Sequence, residues 1–330
     1  MFIHATTPRP PTHRYPEVHR RKAPPVTAIA AFRCNDGLVM SADAEETYPD
    51  SKVYTFKLFP VEREGKRVCV AGSGIGYLID YAKDEIICAL DSGLTNVAEF
   101  EKSLRNVMRQ LYETDFSLYP VDHDSERQIQ LLVGVQFVSE TQPSSWLEPT
   151  LFECQSNLVT VPKNPAQRSR ILGVGELLQE TARQFANWGL NVELAERVSL
   201  YLMYEAKRRL AGVGGKTHIF TMRNDGTFEY YRGKHIGEQE AVLAGFNGVT
   251  QLLLLALEPS VPDKKADDFI NTARKWLKDA RRYLTKVEQG KVVSPTVITL
   301  QNKEISKLMK RLRHPRMIKL SASQKLEPEQ

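Results

Sequence analysis

Cysteine is scarce in this chain of 330 residues, and no two cysteines form a CxxC pair. The four cysteines are Cys34, Cys69, Cys88 and Cys154. Their scatter argues against a zinc ribbon or a dithiol redox motif. A chain of this length can bury a core that is stable without disulfide bonds. We therefore expect free thiols in a reducing compartment, and the predicted location is cytoplasmic.

Long apolar runs are also missing. No stretch approaches the ~20 consecutive apolar residues of a membrane-spanning helix, and the longest run, Leu252–Leu257, fits within part of an ordinary helix. After Met1-Phe2-Ile3 the chain becomes polar and rich in proline, so it lacks the apolar region of a signal peptide. These absences predict a globular protein with no membrane partner.

A strong charge surplus is absent from the middle of the chain. The net charge is +5, to which residues 1–25 contribute +4 and residues 301–320 contribute +6, so the remainder carries −5. A nucleic-acid groove in the folded body is therefore not indicated, and nucleic acid is not an expected partner. The basic ends are predicted to be solvated, and contact of the basic helix at 302–316 with nucleic acid, an acidic membrane surface or an acidic protein is the open alternative.

Three regions differ in composition and pattern. Residues 1–25 contain six prolines, which predict an extended basic arm that would serve as a propeptide in an enzyme. Residues 26–235 contain strands, a helix pair, strands, a second helix pair and a hairpin. Residues 236–330 form a mostly helical extension with a basic tail. Because strands and helices occur in blocks, we predict an α+β fold of antiparallel sheets covered by helices rather than a doubly wound parallel sheet.

Hydrophobic periodicity and turn residues locate the individual elements. Helices are predicted at 77–91, 96–115, 174–188, 191–210, 238–257, 264–288 and 302–313. Strands are predicted at 27–34, 38–43, 52–59, 67–71, 129–138, 150–154, 158–161, 171–173, 216–222, 228–231 and 292–300. Asn35-Asp36-Gly37 and Asn224-Asp225-Gly226 supply residues that tolerate positive φ, and each predicts a hairpin turn.

Five short segments together resemble a known family. They are TAIAAFRCNDGLVMSAD (27–43), KLFP (57–60), VCVAGS (68–73), ILGVG (171–175) and AKRRLAGVGG (206–215). In this order they resemble the opening hairpin, the Lys-Ile-Phe-Pro segment, the Ala-Gly strand end and two glycine turns of proteasome core-particle (20S) β-type subunits. That family belongs to the N-terminal nucleophile (Ntn) hydrolase superfamily. The resemblance covers about residues 26–232, and a divergent bacterial homologue would fit it.

The resemblance implies a fold and an assembly. The implied fold is a four-layer αββα sandwich, with two antiparallel sheets between helix layers, in residues 26–235. The implied assembly is a stacked ring of identical or different subunits, associated with protein degradation. Unfolded polypeptide or peptide would be the substrate of an active subunit, and no cofactor or metal is implied.

The resemblance also implies a site. Carried over residue by residue, Thr27 is the nucleophile, Lys57 its electrostatic partner and Asp43 the carboxylate that orients the lysine. The backbone amide of Gly72 is the implied oxyanion donor. A free N-terminal threonine can act because its own α-amine accepts the hydroxyl proton, and the ordinary pKa of that amine, near ~8, suits a base at neutral pH.

Five departures from the family pattern keep a second hypothesis open. Thr27 is internal, and Val26 stands where the family has a glycine before the threonine. Val174, Leu210 and Val213 stand where the family has serine, aspartate and serine. The chain is therefore either a threonine endopeptidase released by cleavage before Thr27, or an inactive structural subunit that binds partners through its extensions.

Two other motifs resemble binding sites, one for a dinucleotide and one for a cation, but the sequence favours neither function. The run Gly72–Gly76 lies between a strand and a helix but reads GxGxG, and it lacks the GxGxxG spacing of a dinucleotide loop. Asp122-His123-Asp124 has residues that bind cations, but its polar surroundings are typical of a solvated turn.

Overall fold

The computed structural model describes residues 27–47, 52–116, 129–142, 144–155, 158–161, 168–173, 176–231, 234–288 and 302–307. The predicted arm at 1–25, the predicted strand at 292–300 and the Asp122-His123-Asp124 motif lie outside these residues. Val26 and Val174 also lie outside them.

Twelve strands, six longer helices, a π-helical turn and one short helix make up the described elements. The strands are β1 (Ile29–Arg33), β2 (Gly37–Asp43), β3 (Glu45–Thr47), β4 (Lys52–Tyr54), β5 (Leu58–Arg63), β6 (Lys66–Ser73), β7 (Gln130–Phe137), β8 (Thr150–Gln155), β9 (Leu158–Thr160), β10 (Ser169–Leu172), β11 (Thr217–Arg223) and β12 (Phe228–Tyr231). The helices are α1 (Gly76–Asp91), α2 (Val97–Leu111), α3 (Glu176–Ala186), α4 (Val192–Arg209), α5 (Lys234–Ala256) and α6 (Asp263–Glu288). A π-helical turn, Tyr112–Phe116, continues α2, and a short helix spans 302–307.

The strands form two five-stranded antiparallel sheets and one small two-stranded sheet. The first sheet has the order β10-β1-β2-β11-β12, the second has the order β5-β6-β7-β8-β9, and β3 pairs with β4. Both Asn-Asp-Gly hairpins occur as predicted. The first joins β1 to β2, and the second joins β11 to β12, where Gly226 adopts a φ of +83°.

Apolar side chains alternate between the two faces of each sheet, so each sheet buries both. The inner faces meet in one cluster, represented by Met40, Leu132 and Phe220. Helices α1 and α2 cover the other face of the second sheet. Helices α3 and α4 cover the other face of the first sheet. The prediction of an α+β fold with helix-covered antiparallel sheets is confirmed at this level.

One predicted strand is wrong. The alternating run 52–59 is not a single strand, because it divides into β4 and the start of β5. Between them, the Thr55 amide donates to the Ala44 carbonyl at 2.9 Å, outside either ladder. The break allows Lys57 to turn away from the sheet and into a buried polar site, a tertiary requirement that alternation cannot reveal.

The C-terminal part of the described chain is a helical hairpin. Helix α5 packs on α4 and β11, and α6 packs antiparallel on α5 around Trp276 and Phe269. The helix at 302–307 contributes Ile305 to the same cluster. Among the described residues, no helix combines the length and apolar character needed to cross a membrane.

Candidate functional site

A buried ion pair lies where β2 ends and β5 begins. The Lys57 ammonium donates to Asp43 Oδ1 at 2.9 Å, and the two side chains are 5% and 0% exposed. The same ammonium donates to the Glu45 backbone carbonyl at 2.5 Å. Because low exposure weakens solvent screening, this ammonium is a fixed positive charge rather than a mobile surface lysine.

Three backbone amides hold the Asp43 carboxylate in place. The Ala28 amide donates to Oδ1 at 3.0 Å, whereas the Glu45 and Gly214 amides donate to Oδ2 at 3.2 and 3.1 Å. These donors come from the start of the first strand, the residues after β2 and the loop after α4. A carboxylate fixed by this many donors has one orientation, so it also fixes the ammonium of Lys57.

Thr27 lies beside this pair, immediately before β1. The Lys57 ammonium donates to Thr27 Oγ1 at 3.3 Å. The next residue, Ala28, donates its amide to Asp43, so the backbone at Thr27 is tied to the carboxylate that positions the lysine. The structure therefore brings together the three side chains that the resemblance singled out, in the order hydroxyl, ammonium, carboxylate.

Gly173 packs directly against the backbone of Thr27. Its φ is +70°, and a Cβ at this position would overlap the Thr27 carbonyl oxygen and lie 2.7 Å from the carbonyl carbon. The same Cβ would lie 3.3 Å from Ser73 Oγ, so the end of β6 also reaches this point. Ser73 belongs to the VCVAGS segment, but sequence reasoning gave its side chain no role.

Gly72 is buried near the end of β6, where it pairs with Leu131 of β7. A Cβ at Gly72 would lie 2.5 Å from a methyl group of Ile79, so the residue is closely packed by α1. The neighbouring Ser73 lies near the Thr27 backbone, which puts this end of β6 at the site. The oxyanion role of the Gly72 amide stays a prediction.

The loop after α4 supports the site through its backbone. Leu210 is half-buried and Val213 is buried, and both pack into the apolar cluster beneath α3 and α4. Apolar side chains thus replace the polar ones of the family pattern, while the Gly214 amide still donates to Asp43. Sequence reasoning missed this contact of the candidate site, because a backbone donor has no side-chain signature.

Glu45 is a second residue that the sequence reading did not single out. Its side chain is buried and accepts from Lys52 at 2.6 Å. A Cβ at Gly214 would overlap the Glu45 carboxylate, so glycine is required for this close packing. Glu45 therefore joins the small β3–β4 sheet to the loop that supports Asp43.

Other nucleophiles and metal ligands are poorly represented among the described residues. Burial raises the pKa of the Cys34, Cys69 and Cys154 thiols, which keeps them protonated and unreactive. Within the same residues, no group of three or more His, Cys, Asp or Glu side chains could hold a metal ion. Thr27 is thus the side chain on which this site's chemistry would depend.

Comparison with known proteins gives a likeness in structure and none in sequence. Neither a protein-family model nor a curated protein matches the sequence. Among solved structures, Anbu (ancestral beta-subunit) from Yersinia bercovieri matches with a TM-score of 0.58 and 16% identity. The match covers 72% of this chain and 99% of that one.

Two further Anbu structures give similar values. Anbu from Hyphomicrobium sp. strain MC1 matches with a TM-score of 0.56 and 16% identity, covering 72% of this chain and all of that chain. A helical assembly of the Anbu complex from Pseudomonas aeruginosa matches with a TM-score of 0.54 and 16% identity, over 72% of this chain and 98% of that one. More than a quarter of this chain therefore has no counterpart in them.

These matches correct the family assignment made from the sequence. The prediction of membership in the proteasome core-particle β-type family is wrong, because no family model matches and the structures found are Anbu proteins. The short motifs identified the type of fold but could not separate one branch of proteins from another.

Proposed function

We propose that this chain is a subunit of a proteasome-like oligomeric assembly in which Thr27, once freed at its N-terminus, is the nucleophile of a threonine endopeptidase. The observation that carries the proposal is the contact of Thr27 Oγ1 with the buried Lys57–Asp43 pair. The proposal includes a four-layer αββα Ntn domain over residues 26–235, a cytoplasmic location, and unfolded polypeptide or peptide as substrate.

The chemistry requires a free α-amine at Thr27. In the full chain this nitrogen belongs to the Val26–Thr27 amide, which is not a base, so hydrolysis of that bond must come first. The amine then accepts the hydroxyl proton while Oγ1 bonds to the substrate carbonyl carbon. It passes that proton to the leaving amine as the peptide bond breaks, and water hydrolyses the resulting ester to regenerate Thr27.

Lys57 supplies the electrostatic part of this mechanism. Its ammonium favours the developing negative charge on Oγ1, and Asp43 orients the ammonium. No cofactor is needed, because the attack, the proton transfer and the hydrolysis use only these groups and water. The Gly72 amide is proposed as the donor to the developing oxyanion.

The assembly part of the proposal is supported by the structural matches. One of the matching structures is described as a helical assembly of the Anbu complex, and this chain shares that fold at low identity. We therefore expect self-association, with the number and arrangement of subunits to be measured.

One observation favours a second candidate, an inactive structural subunit. Leu210 and Val213 bury apolar side chains where the family resemblance implies polar groups that position the threonine. In this reading Lys57 and Asp43 only stabilise the fold, and the extensions bind partners. The two candidates differ in whether the bond before Thr27 is cleaved.

Intact-mass measurement of the purified protein separates the two candidates. A chain that begins at Thr27 is expected for the peptidase, and Thr27→Ala is then expected to leave the precursor uncleaved. Full-length protein that persists under native conditions, in the assembled state, would contradict the peptidase and favour the structural subunit.

A covalent probe then tests the mechanism on cleaved protein. A peptide α′,β′-epoxyketone forms a stable adduct only with a threonine that offers both its hydroxyl and a free amine. We expect labelling of the cleaved wild type, and a loss of order 10²–10³ in labelling rate for Lys57→Met. Lys102→Met, which changes an exposed lysine on α2, is the control and should label normally.

A further inference from the structure

The outer side of α6 carries a stripe of unusual composition. From Arg274 to Lys286, six basic residues accompany one acidic residue, a local charge of +5. The stripe itself, defined here as the basic stripe, consists of Ile270, Arg274, Leu277, Lys278 and Arg281. Both aliphatic side chains are 45% exposed, and all three cationic side chains are exposed.

The outer side of α1 carries a stripe of opposite charge. Helix α1 contains four acidic residues and one lysine, a local charge of −3. The acidic stripe is defined here as Tyr77, Asp80, Tyr81, Asp84 and Cys88, all of which are exposed. The two tyrosines are 57% and 36% exposed, so this stripe also alternates apolar with charged groups.

The two stripes match when the helices run antiparallel. Counted forward from Tyr77, the acidic stripe continues at +3, +4, +7 and +11, and counted backward from Arg281, the basic stripe continues at the same intervals. The facing pairs in this register are Tyr77 with Arg281, Asp80 with Lys278, Tyr81 with Leu277, Asp84 with Arg274, and Cys88 with Ile270.

Each contact in this register is chemically favourable. Two are ion pairs between carboxylates and cations, one places a guanidinium against a tyrosine ring, and two are apolar. Each stripe is about 16 Å long at ~1.5 Å per residue, so the five contacts cover the same length on both helices. A non-specific polyanion would use the cations but would leave Ile270 and Leu277 in water.

The two stripes of one chain lie on opposite sides of the molecule. Helix α1 packs on β5 and β6, outside the second sheet, whereas α6 packs on α5, which in turn packs on α4 outside the first sheet. Among the described residues, the two stripes of one chain do not meet, so a contact between them must join two molecules. A contact between two different surfaces of identical chains is head-to-tail, and repeats into a ring or an open helix.

We propose that the basic stripe of α6 docks antiparallel on the acidic stripe of α1 in a second copy of this chain. The inference rests on the proposed function in one respect, namely that the chain self-associates. It adds the interface and the residues that form it.

A cysteine pair tests the register directly. Cys88 is exposed, whereas the other described cysteines are buried, so Ile270→Cys provides its facing partner. A short bismaleimide should link this variant into covalent multimers. This reagent is preferred to a direct disulfide, because facing residues on two packed helices can be farther apart than the about 4.4–6.8 Å between Cα atoms that a disulfide requires. Asp268→Cys, which is exposed on a side of α6 away from the stripe, should give no covalent multimers, and neither should Ile270→Cys combined with Cys88→Ser.

Charge reversal tests the pairing independently. Asp80→Lys with Asp84→Lys makes both stripes basic, and Arg274→Glu with Lys278→Glu makes both acidic. Each double variant alone should sediment as a monomer, and an equimolar mixture should reassemble, because each stripe then finds an opposite one. Lys265→Glu with Lys286→Glu makes the same charge change at exposed positions of α6 away from the stripe, and this variant should assemble normally.

The outcomes separate this proposal from the one on which it rests. A monomeric wild type at every working concentration would overturn self-association and this interface together. An oligomeric wild type whose reversed variants still assemble, or whose mixture does not recover, would overturn only the α1–α6 interface. Association abolished by nuclease would identify a nucleic-acid partner and would also overturn it.

Discussion

The Lys57–Asp43 pair illustrates how much local structure one buried charge pair requires. Removing each ion from water costs several kcal/mol, so their attraction stabilises the fold only if the remaining hydrogen-bonding capacity is met. Asp43 meets it with the Ala28, Glu45 and Gly214 amides, and Lys57 meets it with the Glu45 carbonyl. We infer that the fixed charge beside Thr27 depends on all of these backbone donors and acceptors.

The first prediction concerns Gly173. In Gly173→Ala the new methyl group would overlap the Thr27 carbonyl, and the backbone would also have to keep a φ of +70°. We expect a loss of about 2–4 kcal/mol in unfolding free energy from the clash and the strain together, and a loss of Thr27 labelling by the epoxyketone probe. Urea unfolding and intact mass measure the two effects.

Gly93→Ala is the matched control for this substitution. Gly93 has a similar positive φ of +90°, but nothing lies within 4 Å of its Cβ position. It should therefore show only the strain of the left-handed conformation, about 1–2 kcal/mol, with unchanged labelling. Equal losses at both positions would mean that contact with Thr27 contributes nothing.

The second prediction concerns Glu196, which lies on α4. Burial raises the pKa of its carboxyl from 4.5 to about 7. Between these values the native chain binds a proton that the unfolded chain releases, so stability falls as the pH rises through this window. Glu196→Gln should remove that fall, and its advantage over the wild type should grow by about 1–2 kcal/mol from pH 4.5 to pH 8, allowing for partial solvent screening.

Glu193→Gln, on the same helix, should change the pH dependence of stability in the opposite direction. A hydrogen bond from its own backbone amide, assisted by Arg223, lowers the pKa of Glu193, so its charge stabilises the native state once the pH exceeds the unfolded pKa. The variant should lose stability relative to the wild type as the pH rises. Urea midpoints across the pH range measure both variants, and parallel curves for the two would contradict the assignment.

At the scale of elements, the helices were the most predictable feature. Predicted helix 77–91 is α1 at Gly76–Asp91, and predicted helix 264–288 is α6 at Asp263–Glu288, because a repeating apolar stripe requires a helical period. The strands were harder to predict where tertiary contacts determine the course of the chain. The division of 52–59 depends on where Lys57 must point, which lies in the tertiary structure and not in the local pattern.

The net charge of each region could be counted from the sequence, but the position of the charges on the folded surface could not. The sequence count attributes the basic surplus to the two ends, yet α6 concentrates a local charge of +5 between Arg274 and Lys286. Acidic residues elsewhere between the two ends outweigh this local positive charge, so the net charge of that part of the chain does not reveal it. Only the helix geometry separates the residues that face α5 from those that form an exposed basic stripe.

The third prediction tests the packing of the α5–α6 hairpin. Gly245 of α5 lies against α6, and a Cβ there would lie 2.7 Å from Trp276 Cζ2 and would overlap the Asn302 side chain. Gly245→Ala should therefore lower the unfolding free energy by about 1–3 kcal/mol, despite the higher helix propensity of alanine. Urea unfolding followed by circular dichroism and by tryptophan fluorescence measures the change.

Gly237→Ala is the control within the same helix. No atom lies within 4 Å of its Cβ position, so alanine should stabilise the chain by up to about 1 kcal/mol through helix propensity alone. A stabilising effect at Gly245 as well would contradict close packing of α5 against Trp276 and the helix at 302–307.

At the scale of the whole molecule, the site and the proposed interface lie in different places. Thr27 lies where the first sheet meets the start of β5, whereas the basic stripe lies on α6 beyond α5. Assembly should therefore be separable from chemistry. A variant with reversed stripe charges should keep the Thr27–Lys57 contact and its native fold while losing its neighbours.

The fourth prediction follows from the charges of that interface. Two ion pairs and one guanidinium–ring contact hold the stripes together at the solvent boundary, where salt screens them over about 10 Å at 0.1 M and about 3 Å at 1 M. We expect the apparent dissociation constant of the assembly to rise at least about tenfold between ~0.05 and ~0.5 M NaCl, with the far-ultraviolet circular dichroism unchanged. Sedimentation velocity at several protein concentrations measures it. The variant Lys265→Glu with Lys286→Glu should follow the wild type, whereas an assembly whose mass is insensitive to salt would be held by an apolar surface other than these stripes.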